Sequence, residues 1–448
     1  MVEKNDLTTG NVLKKMLGFY FPMLFTNLFQ QIYSVADTAI VGKGIGDNAL
    51  GAVGNLSSLS LLIIGFVTGI TGGFAVIIAQ NFGSGEFDSV RKSIASSIKL
   101  SLWVTVILSL IGCLILRPLL LVIQTDVILL EDGLKYGYII FAGLFATVAF
   151  NLCTGILRSF GDSRTPFIAI VISSVVNIAL DYVLIFLFHT GVEGAAIATV
   201  FSQGLSAFIC FTKLRQMREC LVSKGDFAEG KEMELLLLKN GIPMALMNSI
   251  TSVGCMIVQR YVNGYGAGYT SAYAVCTRYL NLFMLPSLTA GFAVSAFVSQ
   301  NYGAHKLKRI RQGVNVCLGI AVVSYVVLGF TMEIFPRHLA GFMLANTETI
   351  ELVTQYFRVC GFALILLNLL FVYRGAVQGM GHPFVPMISG IAEMVIRIPI
   401  IILLLPGIGF KATGYADTLA WITALFLNLS AYFYFMNIKQ CKHNTGVP

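Results

Sequence analysis

The chain has 448 residues, of which 56% are hydrophobic and only 12% are charged, and its mean hydropathy is +0.80. Soluble domains contain about 25% charged residues, so this composition excludes a soluble multidomain enzyme, a disordered chain and a fibrous protein. The net charge of +8 is scattered in small basic groups, unlike the dense basic patch of a nucleic-acid-binding protein. The composition predicts a polytopic membrane protein.

Twelve apolar stretches are long enough to cross a membrane as helices, which takes about 20 mostly apolar residues. The polar start, residues 1–11, lacks the pattern of a signal peptide, so we expect the first stretch to remain in the membrane. The stretches are too long and too uniformly apolar for barrel strands, which leaves an all-α protein. In chain order the predicted helices span 16–41, 50–79, 93–117, 133–156, 166–188, 193–213, 237–262, 270–299, 312–334, 348–373, 384–405 and 413–436.

The distribution of basic residues predicts the orientation of these helices. With the N-terminus inside, 19 Lys and Arg, Arg374 among them, fall in cytoplasmic segments and 5 in outer segments. This bias places both termini in the cytoplasm of a cell inner (plasma) membrane protein. The longest polar stretch divides the helices six and six, which predicts an N-terminal lobe (1–213), a cytoplasmic linker (214–236) and a C-terminal lobe (237–448).

The two halves of the chain resemble each other, and most of their matching motifs share one offset along the sequence. Six helices separate the copies, so both insert in the same orientation, as in transporters that move two lobes about a central cleft. The matching motifs are Pro22-Met23 with Pro243-Met244, Gln80-Asn81-Phe82-Gly83 with Gln300-Asn301-Tyr302-Gly303, Gly155 and Gly161 with Gly375 and Gly381, Pro166-Phe167 with Pro383-Phe384, and Gly194 with Gly414.

Four polar residues lie inside apolar helices of the first lobe, where buried carboxylates are costly and usually functional. Asn177 and Asp181 are four residues apart and share one helix face. Asp181 and Thr199 each lie about nine residues from the same outer turn, hence roughly 13 Å deep, and Asp37 is roughly 9 Å deep. Their oxygens suit Na⁺, or a proton shared by the carboxylates. The alternative for Asp37 is a structural hydrogen bond to a neighbouring helix.

The second lobe lacks these residues. The repeat places Arg397 and Ile401 at the positions of Asn177 and Asp181, and Glu393 lies one helical turn before Arg397. We interpret Glu393 and Arg397 as a structural ion pair, with a second coupling site or a conformational latch as the alternative. Asp417 is expected at the membrane interface. The residues of this second-lobe polar or structural site are Glu393, Arg397, Arg278 and Gln259.

Together these motifs resemble the multidrug and toxic-compound extrusion (MATE) transporters over about residues 15–437. The motifs that carry the resemblance are Pro22 with Gln30, Gln31, Asp37 and Val41-Gly42; Gln80 to Gly83; Gly155-x-x-Arg158-x-x-Gly161-Asp162 with Pro166; Asn177-x-x-x-Asp181; and Gly194 to Thr199. The resemblance implies twelve helices in two six-helix lobes, a V-shaped cleft, and export of organic cations driven by Na⁺ or H⁺ entry.

The resemblance also implies where the coupling ion binds. One subgroup of the family uses first-lobe residues that match Asp37, Asn177, Asp181 and Thr199, and another uses acids on the seventh and tenth helices. Here those two helices have Gln259 and Asn368 and no mid-membrane acid, which favours the first lobe. The sequence leaves Na⁺ and H⁺ open.

Two other classes of function can be weighed against a drug antiporter. A lipid-linked oligosaccharide flippase of the wider superfamily would need a strongly basic cleft, and only Arg260, Arg278 and Arg397 are candidates. An enzyme is not expected, because the chain has no nucleophile or metalloprotease motif. We therefore expect a monomer with small organic substrates in a lipid bilayer, no nucleic acid, and no cofactor beyond the coupling ion.

Overall fold

The computed structural model describes residues 6–122, 127–228 and 230–445, and in those ranges it contains helices and no strands. Besides α-helices, these ranges contain π-helical turns at Val183–Leu187 and Tyr325–Gly329 and a 3₁₀ turn at Arg218–Cys220. The helices are α1 (Val12–Gly44), α2 (Asp47–Ser84), α3 (Phe87–Val122), α4 (Val127–Ala142), α5 (Leu144–Ser159), α6 (Arg164–Tyr182), α7 (Val192–Arg215), α8 (Lys224–Ala228), α9 (Lys231–Asn263), α10 (Ala267–Gly303), α11 (Leu307–Ser324), α12 (Phe330–Ile334), α13 (Pro336–Met343), α14 (Thr347–Gly379), α15 (Phe384–Ile408) and α16 (Lys411–Thr445).

Within the described ranges, ten helices are long and apolar enough to cross a membrane, and α4 with α5 forms an eleventh span with a 44° bend. The bend occurs at Gly143, where a side chain would meet Val200 of α7. The twelfth predicted span is α1, which has the length but not the apolar composition, because it carries Asn27, Gln30 and Gln31. The all-α membrane fold predicted from the sequence is confirmed.

The contacts divide the chain into two compact units. The first unit contains Gly18–Ala245, and the second contains Leu7–Leu17 together with the chain from Leu246 onward. Each unit has its own apolar core, built around Phe74 and Phe160 in the first and Tyr356 and Phe357 in the second. The boundaries between the two units therefore fall inside α1 and α9. The predicted linker at 214–236 divides the sequence into two halves and does not coincide with either boundary.

The start of the chain is held in the second unit by side chains that follow α10. The Arg309 guanidinium donates hydrogen bonds to the carbonyl groups of Leu7, Thr9 and Gly10, at 3.0, 3.1 and 2.7 Å. The Lys306 ammonium donates to the carbonyl of Thr8 at 2.9 Å. Because these carbonyls lie outside any helix, the basic side chains supply the donors they need, and α1 begins from an anchored segment.

Candidate coupling-ion site

Helix α6 places two of the predicted site residues in the interior of the first unit. Asn177 is 1% exposed and Asp181 is fully buried, and they lie one turn apart on the buried face. The hydroxyls of Ser173 and Ser206 form a short hydrogen bond that joins α6 to α7. A π-helical turn begins two residues after Asp181. Such turns are frequent at functional sites because they change the direction of the side chains that follow.

Helix α1 brings Asp37 beside Asp181. The two carboxyl groups are close enough to share a hydrogen bond when one of them is protonated. Neither carboxyl group is paired with a Lys or Arg among the residues that the structure describes. Two adjacent acids without a base are unfavourable in an apolar interior, so this position calls for a bound cation or a proton.

Helix α7 adds further polar side chains to the site. Thr199 and Gln203 lie one turn apart, and Ser202 is beside them. The hydroxyl groups of Tyr33 from α1 and Tyr136 from α4 lie next to Gln203 and Thr199, respectively. The structure thus brings together the four residues predicted from the sequence and adds four that sequence reasoning missed. The available signal was helical spacing, since Tyr33 precedes Asp37 by one turn and Gln203 follows Thr199 by one turn.

Most polar atoms of this cluster are buried without a hydrogen-bond partner. Buried polar side-chain atoms are normally satisfied, so several orphans in one place need an explanation. Nearly all of these atoms are oxygens, which hard cations prefer as ligands. Only two of the residues are carboxylates. A set of oxygens with so few charges suits a weakly bound monovalent ion or a shared proton. The orphaned atoms are Asp37 Oδ1, both Asn177 amide atoms, both Asp181 oxygens, Thr199 Oγ1, Ser202 Oγ and Gln203 Oε1.

The second unit contains a different polar cluster, in which acids and bases alternate. Glu393 pairs with Arg374 through a short contact and with Arg397 at 3.8 Å, and Arg397 Nε lies 2.8 Å from Asp417 Oδ1. The Tyr356 hydroxyl donates to Asp417 at 2.7 Å. The network has no net charge, so it needs no added ion.

The structure changes two expectations about this network. Asp417, expected only as a residue near the membrane interface, is a member of the network: its side chain is buried between Arg397 and Tyr356. Arg374 is not in a cytoplasmic loop, because α14 continues to Gly379 and Arg374 is buried against Glu393. Arg278 and Gln259 have exposed side chains and make no described contact with Glu393 or Arg397.

Comparisons with known proteins identify this architecture. The MatE family model matches residues 22–183 and 243–403, the two halves of the predicted repeat. The chain belongs to the MatE family. The two matched stretches begin at Pro22 and Pro243, the prolines that open the first pair of matching sequence motifs.

The similar proteins are of nearly the same length as this chain. "Probable multidrug resistance protein YpnP" of Bacillus subtilis is 27% identical over 431 residues, covering 96% of each chain. "Probable multidrug resistance protein YoeA" of the same organism is 26% identical over 389 residues, covering 85% of this chain and 84% of the relative. A crystal structure of MATE in the bent conformation shares the fold with a TM-score of 0.90 at 21% identity, over 100% of this chain and 99% of the other.

Family membership confirms the resemblance inferred from the motifs. MatE proteins are membrane transporters, and nothing in these comparisons points to catalysis. The twofold match also supports the parallel repeat, because each half of the chain is recognised by the same family model in the same order.

Proposed function

We propose that this chain is a secondary active multidrug efflux antiporter that exports organic, mostly cationic compounds in exchange for Na⁺ or H⁺ entry. The observation that carries the proposal is the cluster of unpartnered buried oxygens around Asp37 and Asp181. The names of the relatives support the cargo: both Bacillus subtilis proteins are called probable multidrug resistance proteins, and a similar Staphylococcus aureus protein is called a multidrug export protein.

In this proposal the ion acts by neutralising buried charge. Na⁺ or H⁺ entering from outside binds between Asp37 and Asp181, with the Asn177 and Thr199 oxygens as further ligands. Because Asp37 belongs to α1 and Asp181 to α6, the ion joins two helices that repel each other when both carboxylates are charged. The ion thereby favours one packing of α1 over another, and it shifts the transporter between states only as far as its affinities for them differ.

The proposed setting is the inner (plasma) membrane, with both termini in the cytoplasm and one chain as the transporting unit. The bias of basic residues toward the predicted cytoplasmic segments supports this orientation. The flippase alternative is not favoured, because the buried Asp181 and the partly buried Asp37, which form no ion pair among the described residues, would repel a pyrophosphate headgroup from the first unit.

The test is transport by the full chain in proteoliposomes, with a Na⁺ gradient and a pH gradient imposed separately. We expect a fluorescent organic cation to move against the flow of one of the two ions and to stop when that gradient is collapsed. Asp37→Asn should abolish the driven movement, and Glu131→Gln, a change of an exposed acid in α4, should leave it intact. Transport that is indifferent to both gradients, or full transport by Asp37→Asn, would contradict the proposal.

A further inference from the structure

Because the sequence is repeated, the second unit has positions that correspond to those of the ion site in the first unit. The buried positions of α6 recur on α15 at one constant offset along the sequence, so Asp181 corresponds to Ile401. This offset pairs Pro166 with Pro386, which corrects the match to Pro383 suggested by the sequence motif. The corresponding buried residues are Pro166, Ala169, Ile170, Ser173, Asn177 and Asp181 in α6, and Pro386, Ser389, Gly390, Glu393, Arg397 and Ile401 in α15.

The first helix of each repeat shows the same relation. Pro22 and the fully buried Val41 of α1 are spaced along the chain like Pro243 and the fully buried Val262 of α9. When these two pairs are aligned, Asp37 corresponds to Val258. The second unit therefore has two apolar side chains, Val258 and Ile401, where the first unit has two carboxylates.

A cavity of about 450 Å³ lies at this position in the second unit. Its walls come from the outer part of α9 and from α15, and both Val258 and Ile401 line it. Ligand pockets in proteins have this size and are lined mainly by apolar and aromatic side chains with a few polar groups. The principal lining residues are Ile257, Val258, Arg260, Tyr261, Tyr265 and Ile401.

The charged group of this pocket is a base. Arg260 has an exposed side chain and makes no ion pair with the residues that the structure describes. Arg374 and Arg397 in the same unit are each held by a carboxylate. The guanidinium of Arg260 is thus available to an anion, and its planar set of donors matches a carboxylate or phosphate group.

A row of aromatic rings adjoins Arg260. Tyr261 and Tyr265 have ring centroids 5.9 Å apart, and Tyr265 stacks on Tyr269 at 5.6 Å. The Tyr261 hydroxyl also donates to the Ile402 carbonyl at 3.4 Å, which connects α9 to α15 beside the cavity. Flat rings in a row favour a flat ligand, since offset and edge-on contacts between rings are stabilising.

We propose that this pocket is a second binding site, for an aromatic compound that carries a carboxylate or another anionic group. The proposal rests on the transport function proposed above and adds a substrate class to it: aromatic anions and zwitterions, whose negative group would bind Arg260. The repeat would then divide recognition by charge, with cations attracted to the first unit and the anionic end of a substrate to the second. A bilayer phospholipid shares the anionic group and apolar body, but its flexible chains do not need the tyrosine row.

The test measures binding without transport, so that its outcome is independent of ion coupling. The full chain in nanodiscs of phosphatidylcholine is equilibrated by dialysis with 2-naphthoate or with the matched cation 2-naphthylmethylammonium. We expect the wild-type chain to bind naphthoate at least about tenfold more tightly than the Arg260→Gln chain, because that variant lacks the charge-assisted hydrogen bond from guanidinium, whereas both chains should bind the amine equally. Arg260→Lys should retain part of the naphthoate binding, and Ile401→Trp should weaken naphthoate binding by filling the cavity.

The control is Arg358→Gln, which removes an exposed arginine of the same unit outside the pocket. Naphthoate binding that is equally tight in the wild-type chain and in a folded Arg260→Gln protein would overturn the proposal. Loss of naphthoate binding when phosphatidylglycerol is added to the nanodiscs would assign the pocket to lipid instead. A chain that binds naphthoate but transports nothing would refute the antiporter and leave the pocket standing.

Discussion

The two units share one repeat but solve the problem of buried charge in opposite ways. In the first unit, Asp37 and Asp181 are adjacent acids that form no ion pair with a base among the described residues. In the second unit, Glu393 and Asp417 are each paired with arginine. A network with balanced charges stabilises the packing of its helices by itself. Two adjacent unpaired acids are stable only when a cation or a proton binds to them. Under the proposed function, the first unit would respond to an ion and the second would act as a rigid counterpart.

Neutralising one acid in each unit should separate these roles most clearly. In the first unit, Asp181→Asn should reduce drug efflux to background, a loss of at least about tenfold, because an amide cannot supply the charge that attracts the ion. The folded protein should be as stable as the wild type or more so, since the change removes a buried, unpaired charge. Efflux from an efflux-deficient host and thermal unfolding of the purified chain measure the two effects.

Glu131→Gln is the matched control for this experiment, because Glu131 is an exposed acid of the same unit that pairs with Lys135. Normal efflux by the Asp181→Asn protein would refute the role given to the acid pair.

In the second unit, Glu393→Gln should act on stability first. The change leaves Arg374 and Arg397 buried with one acid fewer, and removing one partner of a buried pair costs about 3–5 kcal/mol. Thermal unfolding should show a clear loss of stability, and Glu393→Gln combined with Arg374→Gln should recover part of it by restoring charge balance. A Glu393→Gln protein that melts like the wild type would show that the network is not structural.

The sequence located the first-unit site better than the second-unit network for a physical reason. Asp37 and Asp181 stand out because acids are rare in apolar helices, and helical rise alone predicts that Asp181 and Thr199 share a depth. Gln203 is uncharged, and its signal is the weaker one of lying one helical turn after Thr199. The sequence predicts a loop at Arg374, because this residue follows a predicted helix end; the structure instead pairs it with Glu393, which is 19 residues away in the sequence.

Within the second-unit network, the pair on one helix could be predicted from the sequence, and the partners on other helices could not. Spacing along one helix predicted the Glu393–Arg397 pair, which the structure shows at 3.8 Å. The closer partners, Arg374 and Asp417, come from α14 and α16. Contacts between helices depend on how the helices pack, and the spacing of residues along one helix does not predict this packing.

The repeated glycines Gly155 and Gly375 provide a third contrast between the units. A Cβ on Gly375 would lie 2.1 Å from the Gly291 carbonyl oxygen, whereas a Cβ on Gly155 would lie 3.3 Å from the Ala75 side chain. Gly375→Ala should therefore destabilise the fold by about 1–3 kcal/mol through overpacking, and Gly155→Ala should cost less than about 1.5 kcal/mol. Thermal unfolding measures both, with Gly319→Ala, which meets no neighbouring atom, as the control. Equal melting of the two variants would show that helix packing is as tight in one unit as in the other.

The smallest expected effect concerns Ser173, the first-unit counterpart of Glu393. Its hydroxyl contacts Ser206 on α7 and also donates to the Ala169 carbonyl at 2.7 Å. Ser173→Ala should cost about 1 kcal/mol, because one neutral hydrogen bond between helices is lost and no charge is left unpaired. Ser324→Ala is the control, since that hydroxyl bonds to its own helix at Ile320. A loss of stability as large as that of Glu393→Gln would mean that the hydroxyl pair stabilises α6 as strongly as the ion-pair network stabilises α15.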